Sequence, residues 1–352
     1  MSSEPTRGHA GCAAICRRLG EPLIGTAPSA AVGWLLIEHP GPWPAYGLPA
    51  DLPAAVTRFA EEALEHAVRT QLIRRPGRNG RQAGSPAVML AGGVPGGRWL
   101  ERGSLTDCDA LARLDPAGIA RSGPPGFGVP AEAVLLVCAH GRREVCCARF
   151  GRPVARALAA RFGPMVWETT HVGGDRFAAN LVVLPSGAYY GRLDPEDAVR
   201  VAQAALSGHV ALDRFRGSAG LPEAAQAAEC LLRRALGTVD ASAVQYLDGH
   251  GRWAGAYRIH RVRFAVSGAG VHTVTLARDQ AAGPRLVSCG TGTVETPTDY
   301  RLLGISGPLA DPVQAQSTTN QGTTNQGITA QSTTTRTATN QSVTTRLVTA
   351  GA

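Results

Sequence analysis

The sequence predicts an α/β protein, because segments with the apolar pattern of strands alternate with segments that have the periodicity of amphipathic helices. The 352 residues are enough for about two domains of roughly 150 residues each. Hydrophobic residues make up 44% of the chain, which is typical of a globular protein with a substantial core. From about Val313 the composition changes to Thr, Asn, Gln, Ser and Gly, so the folded part is expected to end before this point.

The first predicted lobe covers residues 10–125 and has the order β-α-β-β-β after a helix-prone arm. Its elements are a buried strand at 31–40, a helix at 51–70, a strand and turn at 70–78, and strands at 86–93 and 98–105. The helix is predicted to begin with Asp51 as its N-cap, with Pro53 in the first turn. Glycine and proline in GPWP and RRPGR mark the turns that close the first two strands.

The second predicted lobe covers residues 131–205. Its elements are a strand at 132–140, a helix at 150–163, a strand at 165–172, a glycine-led turn at 173–180, a hairpin at 181–193 and a helix at 194–206. The hairpin turn is placed at Pro185–Gly187, and Asp194 is the expected N-cap of the last helix. The order β-α-β-turn-β-β-α is that of a thioredoxin-like domain.

The rest of the chain is predicted as a C-terminal α+β region at 206–305, followed by a tail at 313–352. The region contains a helix at 219–236 and alternating, half-exposed strands at 252–266 and 270–279, and it suggests no function of its own. The tail repeats TTNQG in tandem and cannot bury enough apolar surface to offset chain entropy. We therefore expect it to be disordered.

Charge and hydropathy argue against two classes of partner. The net charge is +8 and the chain contains no lysine, but its arginines are scattered and no dense basic run with interleaved aromatic residues occurs. We therefore expect no nucleic-acid partner. No apolar run approaches the roughly 20 residues that span a membrane, and the N-terminus does not resemble a secretory signal. The expected location is the cytoplasm, where eight cysteines are more often ligands, redox groups or small buried hydrophobes than disulfides.

The stretch CAHGRREVCC, residues 138–147, places three cysteines and a histidine on a predicted strand–helix loop. Cys138 and Cys147 are nine residues apart, unlike the CxxC of a zinc finger or a dithiol oxidoreductase. The wider loop can surround a bulkier guest such as an iron–sulfur cluster. A second loop, HVGGD, supplies His171 and Asp175, and its two glycines let the backbone approach an anionic guest.

These stretches resemble the sucrase/ferredoxin-like family, whose core is a thioredoxin-like [2Fe–2S] ferredoxin domain. The resemblance covers roughly residues 10–305 and is carried by CAHGRREVCC and ETTHVGGDRFAANLVVLPSGAYYGRL, with GEPLIGTA, WLLIEHPGPW, LIRRPGR and QAAECLLRRAL. It implies that Cys138 and Cys147 are the cysteine ligands of the cluster. It also implies that His171 is the first histidine ligand of an H-x3-H pattern whose second position is Asp175 here.

The carboxylate at position 175 leaves the fourth ligand open, because it is a harder ligand than imidazole. Asp175 is the first candidate, and Cys146 and His140 are the substitutes. The third alternative is a three-coordinate, labile site or one that has lost its cluster. On their own, Cys146 is interpreted as a small buried hydrophobe and His140 as a loop residue bonded to backbone.

Other candidates have weaker patterns. Cys12 and Cys16 lie one helical turn apart and are expected to pack, and no role is assigned to the three isolated cysteines, Cys108, Cys230 and Cys289. Arg176 is either a donor that tunes the centre or a surface arginine.

The expected function is electron transfer through one [2Fe–2S] cluster to a redox partner protein. The first alternative is thioredoxin-like thiol chemistry, in which Cys146–Cys147 or Cys138–Cys147 cycles as a disulfide. The second is a structural zinc site at the four candidate ligands. Nothing marks a pair of carboxylates flanking a sugar site, so no hydrolase activity is expected.

Overall fold

The computed structural model describes residues 11–77, 85–93, 97–121, 123–280 and 283–308. The predicted disordered tail at 313–352 lies outside these residues. The α-helices are α1 (Cys12–Arg18), α2 (Ala54–Glu65), α3 (Cys108–Ala112), α4 (Pro116–Arg121), α5 (Val145–Phe162), α6 (Pro195–Leu206) and α7 (Glu223–Leu236). In the described part of the chain, no helix is long and apolar enough to cross a membrane.

The strands form three sheets. The strands are β1 (Gly33–Glu38), β2 (Val68–Arg74), β3 (Ala87–Gly92), β4 (Trp99–Ser104), β5 (Val129–Pro130), β6 (Val134–Cys138), β7 (Val166–Thr169), β8 (Leu181–Leu184), β9 (Ala188–Tyr190), β10 (Phe215–Ser218), β11 (Val244–Ala254), β12 (Tyr257–Val266), β13 (Gly270–Gln280), β14 (Arg285–Leu286), β15 (Val294–Glu295) and β16 (Thr298–Ser306). The α/β class predicted from the sequence is confirmed.

A ten-stranded sheet runs through both predicted lobes and includes β10 from the predicted C-terminal region, in the order β10-β9-β8-β6-β7-β2-β1-β3-β4-β5. In the first half β1 is parallel to β2 and antiparallel to β3, and β4 is antiparallel to β3. In the second half β6 is parallel to β7 and antiparallel to β8, and β9 is antiparallel to β8. The two halves therefore have the same strand order, although the domain boundaries predicted from the sequence stay predictions.

The halves meet where β2 pairs antiparallel with β7, at Ile73↔Thr169 and Arg74↔Glu168. This seam is short, and side chains reinforce it. The Arg74 guanidinium donates to the Glu168 carboxylate at 2.9 Å, and the neighbouring Arg75 guanidinium lies 3.4 Å from the centre of the Trp167 ring. A single sheet thus connects the halves without an intervening linker.

Apolar side chains cover both faces of this sheet. Along β1, Trp34 and Leu36 join a core cluster that continues into the second half through Leu136 of β6. The alternate residues point to the opposite face. There Leu35 packs with α2, while Leu135 packs with α5 and α6. Strands covered on both faces carry uninterrupted apolar runs, which explains why β1 and β6 were recognisable in the sequence.

Several predicted elements are confirmed with small shifts in their bounds. The hairpin turn lies between β8 and β9 as expected, and Val183 pairs with Ala188 across it. The Asp194 side chain accepts from the Asp197 backbone N–H at 2.8 Å and caps α6. The predicted strands at 31–40, 86–93, 98–105, 132–140 and 165–172 are β1, β3, β4, β6 and β7.

The predicted start of the first long helix is wrong. Pro53 occupies the N-cap position of α2, and the Asp51 carboxylate instead accepts from His39 Nε2 at 3.1 Å. The helix also ends at Glu65, because the chain enters β2 at Val68 rather than continuing to residue 70.

The predicted start of the second long helix is also wrong, and this error concerns the cysteines. The sequence FGRPV has the glycine and proline typical of a helix start, but Pro153 lies inside α5, which begins at Val145. Cys146 and Cys147 are therefore in the first turn of α5 and not on the preceding loop.

The C-terminal region contains a second sheet in the order β11-β12-β13-β16, packed against α7. The single strand predicted at 252–266 is wrong, since β11 ends at Ala254 and Tyr257 pairs back onto it. Gly255 allows this turn with a φ of 61°. The alternating pattern is the same in both arms of the hairpin, so periodicity alone did not reveal the turn.

A buried arginine joins remote segments beneath the second half of the sheet. Arg216 of β10 donates to the Gly173 carbonyl at 3.0 Å and to Asn180 Oδ1 at 2.9 Å. It also donates to the Thr26 hydroxyl at 3.1 Å and to the Thr26 carbonyl. Burial lowers the pKa of Arg216 to about 10. This guanidinium fixes the loop that follows β7 against the N-terminal segment.

Substituting Gly174 tests this packing. A Cβ at Gly174 would come closer than 3.0 Å to the Arg216 guanidinium, and its φ of 74° is also unfavourable for alanine. We expect Gly174→Ala to lower the free energy of unfolding by about 1–3 kcal/mol more than Gly237→Ala, measured by urea denaturation. Gly237 is a matched control because its backbone, with a φ of 65°, is left-handed like that of Gly174, and no heavy atom lies within 4 Å of the position that a Cβ would take there. Equal losses in the two variants would contradict the role of Arg216.

Candidate metal centre

Three predicted ligands meet at one edge of the large sheet. Cys138 is the last residue of β6, Cys147 lies in the first turn of α5, and His171 follows the end of β7. Because β6 and β7 are parallel neighbours, their carboxyl ends lie at the same edge, where α5 also begins. The two sulfur atoms and one His171 ring nitrogen lie within 4.8 Å of one another. The distance from Cys147 Sγ to His171 Nδ1 is 3.9 Å.

Backbone contacts hold the two cysteines at this edge. The Cys138 N–H donates to the Asn180 carbonyl at 3.1 Å, and the Ala139 N–H donates to the Thr169 carbonyl at 3.0 Å. A Cβ at Gly151 would come within 3.0 Å of the Cys138 carbonyl oxygen, so α5 approaches β6 as closely as glycine allows. This close packing brings Cys147 against Cys138.

Contacts on three sides fix His171. Its carbonyl accepts from Arg69 Nη2 at 3.0 Å and from Gln71 Nε2 at 3.3 Å. Its Nε2 lies 2.9 Å from the Asp175 carboxylate, while its Nδ1 faces the Cys147 sulfur. Asp175 is thus close to His171, but the imidazole ring separates its carboxylate from the thiols. The ligation of a metal by Asp175 stays a prediction.

The two substitute ligands have other partners. His140 Nε2 lies 2.9 Å from the Pro44 carbonyl, and its ring packs edge-on against Trp43. Cys146 Sγ lies 3.6 Å from the Asp175 carbonyl and 3.9 Å from Cys12 Sγ. Neither side chain belongs to the three-atom group.

Comparison with known proteins places these residues in a family. Residues 32–217 match the family model described as sucrase/ferredoxin-like. The chain belongs to this family. The match contains all three residues of the candidate centre, and it confirms at family level the resemblance found in the sequence.

A curated relative matches part of the chain. Over 97 residues the chain is 29% identical to altered inheritance of mitochondria protein 32 of Meyerozyma guilliermondii. The alignment covers 24% of this chain and 34% of that protein, so the chain spans about a third of the length of this relative. No solved structure matches.

The centre of this sucrase/ferredoxin-like protein includes a pair of carboxyl groups that the sequence did not indicate. Asp175 is hydrogen-bonded to Glu144, the residue before α5. Burial raises the pKa of Glu144. Burial has the same effect on Asp175, but the hydrogen bond from His171 and the nearby charge outweigh it and lower the pKa of Asp175. Of the two carboxyl groups, Glu144 therefore binds a proton more readily, and Asp175 more readily keeps the negative charge that faces His171.

The three central residues shift one another's pKa values. The hydrogen bond from Cys147 and the nearby His171 outweigh burial and lower the pKa of Cys138, whereas Cys138, Cys146 and burial raise the pKa of Cys147. Burial opposes protonation of His171, but Asp175 and Cys138 overcome it and raise the pKa of His171 to about 9. In the metal-free site these shifts favour a Cys138 thiolate beside an imidazolium.

Arg176 and the remaining cysteines lie outside the three-atom group. Arg176 donates to the Glu21 carboxylate at 2.7 Å, so it is neither a donor to the centre nor a free surface arginine. Cys12 and Cys16 are buried, as the packing interpretation predicts. Sequence reasoning missed Glu144, because its carboxylate is held by Asp175 and by the loop at 288–290, both remote from it along the chain.

Removing the charge of Asp175 tests the electrostatics of the metal-free site. We expect Asp175→Asn to lower the pKa of His171 below about 9, because burial remains while the carboxylate is lost. NMR titration of the imidazole of metal-free protein measures this change. Asp197→Asn is the control, since the Asp197 carboxylate pairs with Arg200 and Arg214. An unchanged His171 pKa in Asp175→Asn would contradict the pairing.

The same pair predicts a pH dependence of stability. The folded-state pKa of His171 is raised, so its contribution is fully present below its ordinary pKa of 6.5 and is lost as pH rises through about 9. The stability difference between metal-free wild type and Asp175→Asn should therefore be larger at pH 6 than at pH 10, measured by urea denaturation. A difference that grows between these pH values would contradict the prediction.

Proposed function

We propose that this protein binds one [2Fe–2S] cluster through Cys138, Cys147 and His171 and transfers electrons to a redox partner protein. The observation that supports the proposal is the convergence of two thiols and an imidazole within 4.8 Å, from segments separated along a chain of the sucrase/ferredoxin-like family. Thiolates are the usual protein ligands of iron–sulfur clusters, and histidine replaces thiolate in some [2Fe–2S] centres.

The chemistry of the donor set fits this group. The lowered pKa of Cys138 provides a thiolate, the form that binds iron. His171 presents Nδ1 to the sulfurs while Asp175 holds Nε2, an arrangement in which a carboxylate orients a metal-bound imidazole. The resemblance predicts Asp175 as the fourth ligand, whereas this geometry favours a role in orienting His171.

In this proposal the cluster supplies one-electron transfer, and the chain determines its surroundings. Cys138 and Cys147 would hold it where α5 begins beside the end of β6. His171 follows the end of β7, where its side chain is 16% exposed and lines a cavity of about 1140 Å³. Arg69 and Arg143 line the same cavity. A redox partner would approach His171 through this opening, because the thiols themselves are buried.

A structural zinc site is the second candidate, and the spacing of the ligands favours it. In a tetrahedral site with metal–sulfur bonds of about 2.3 Å, ligand atoms lie roughly 3.8 Å apart. The Cys147–His171 distance of 3.9 Å already matches this value, so a single ion fits without movement of these two residues. A [2Fe–2S] cluster needs a wider opening, and both groups need a fourth ligand besides these three residues.

Iron and zinc analysis of protein purified without oxygen distinguishes the cluster from the zinc site. We expect a brown protein with about two irons per chain that is bleached by dithionite. Cys138→Ser and Cys147→Ser should each lose most of the iron and the visible absorption, because a ligand is removed. Cys108→Ser is the control, since Cys108 donates to the Leu105 carbonyl outside the centre. A colourless protein with one zinc would replace the cluster by the zinc site, and a protein with neither metal would favour thiol chemistry.

Replacing the histidine tests its role as a ligand. We expect His171→Cys to lower the midpoint potential by roughly 100 mV or more, because centres with histidine ligands lie well above all-cysteine clusters. The pH dependence of the midpoint should also flatten, since the titrating imidazole is gone. Spectroscopic redox titration at several pH values measures both effects, with His140→Cys as the control. An unchanged midpoint in His171→Cys would remove His171 from the ligand set.

A further inference from the structure

Three cysteines outside the ligand group lie in a row beside it. Cys12 is the first residue of α1, Cys146 is in the first turn of α5, and Cys289 lies between β14 and β15. Cys12 Sγ lies 3.9 Å from Cys146 Sγ, and the Cys12 backbone N–H donates to Cys289 Sγ at 3.0 Å. All three are free thiols.

The row connects the surface to the interior. Cys289 is exposed, whereas Cys12 is 0% and Cys146 is 7% exposed. A reagent in solution can therefore reach Cys289 but not the other two thiols. Cys12 occupies the middle position and contacts both neighbours.

The structure fixes the exposed end of the row. The Glu144 carboxylate accepts from the Cys289 N–H at 3.1 Å, from the Gly290 N–H at 2.8 Å and from the Ser288 hydroxyl. A Cβ at Gly290 would come within 3.0 Å of the Arg143 carbonyl oxygen, so the loop passes directly over the chain that leads into α5. The loop is thus held at the position where the Cys289 sulfur meets Cys12.

The middle of the row is also held in place. Helix α1 lies against the segment that follows the ligand loop, where Arg17 Nη2 donates to the Ala178 carbonyl at 2.6 Å. Arg192 Nη2 donates to Cys16 Sγ at 3.0 Å and to the Cys16 carbonyl at 3.4 Å. These contacts keep Cys12 between the two other thiols.

Simple packing explains only part of this arrangement. Cys12 and Cys146 belong to the apolar core cluster, where a cysteine serves as a small hydrophobe. Cys289 is exposed and contributes little to a core. The sulfur of the exposed cysteine contacts the backbone of a buried cysteine, whose own sulfur lies 3.9 Å from that of a third. This is the arrangement of a path for thiol–disulfide exchange.

We propose that Cys289, Cys12 and Cys146 form a thiol–disulfide relay that reduces low-molecular-weight disulfides and ends in a Cys12–Cys146 disulfide. This site goes beyond the proposed electron-transfer function and uses none of its three ligands. It also differs from the Cys146–Cys147 and Cys138–Cys147 pairs considered in the sequence.

The exchange balances in three steps. The Cys289 thiolate attacks the disulfide RSSR, forms a mixed disulfide and releases the first RS⁻. The Cys12 thiolate then attacks the Cys289 sulfur and releases the second RS⁻, leaving a Cys12–Cys289 disulfide. Finally the Cys146 thiolate attacks Cys12 Sγ and returns Cys289 to its thiolate. Overall, two protein thiols are oxidised to a disulfide and RSSR is reduced to two RSH.

The sulfur–sulfur distance of the last step suits this order. The last step requires Cys12 Sγ and Cys146 Sγ to close from 3.9 Å to the roughly 2.05 Å of a disulfide bond. The buried position of the product also protects it from further exchange with thiols in solution, because exchange requires access to a sulfur.

The test treats the fully reduced, full-length chain with glutathione disulfide, quenches it by alkylation at intervals and maps cysteine linkages by peptide mass spectrometry. We expect a Cys12–Cys146 disulfide as the final product, with Cys289 recovered as a thiol. Cys289→Ser should slow its formation at least about tenfold, because the accessible nucleophile is gone. Cys12→Ser, or Cys12→Ala if the serine variant fails to fold, should stop as a glutathione mixed disulfide on Cys289.

Variants at other cysteines serve as controls and identify the results that would contradict the relay. Cys108→Ser and Cys230→Ser should form the disulfide at the wild-type rate. A wild-type product that stays at the Cys289 mixed disulfide, or an unchanged rate in Cys289→Ser, would overturn the relay. Cys138→Ser should still form the Cys12–Cys146 disulfide although it loses the metal, so the relay and the proposed cluster fail independently. Linkage of Cys138 to Cys147 in place of Cys12 to Cys146 would also overturn it.

Discussion

The parallel pairing of β6 and β7 determines where the candidate metal centre lies. In a parallel pair the chain must cross back over the sheet, and α5 makes this connection. The end of β6, the start of α5 and the end of β7 are therefore neighbours at one edge. Cys138, Cys147 and His171 occupy these three places, so residues separated along the chain meet without any long loop to position them.

The two halves of the large sheet have the same strand order, but only the second half carries the candidate ligands. At the corresponding edge of the first half, His39 follows β1 and pairs with Asp51, near the start of α2. No cysteine stands there. The first half instead supplies Arg69 and Gln71, which hold the carbonyl of His171, and much of the cavity beside it. One half thus carries the candidate ligands, and the other supports and shields them.

Local patterns predicted what depends on local sequence. The apolar runs of β1 and β6, the Asp194 cap and the hairpin at β8–β9 follow from residues close together in the chain. The ligand positions were predicted because spacing and family resemblance agreed on them. The start of α5 was missed since its proline lies inside the helix. The row through Cys12 and Cys289 could not be predicted, because it joins residues 277 positions apart.

The short seam between β2 and β7 has the form of a symmetric subunit interface. β2 and β7 are each the second strand of their half in chain order, and they run antiparallel. The same edge of each half therefore pairs with its counterpart. Two identical copies of one half, related by a two-fold axis through the sheet, would make the same contact as an isologous homodimer. The single chain thus joins two halves through a dimer-like contact on one polypeptide. Such an arrangement lets one half keep the candidate ligands while the other is reshaped around them.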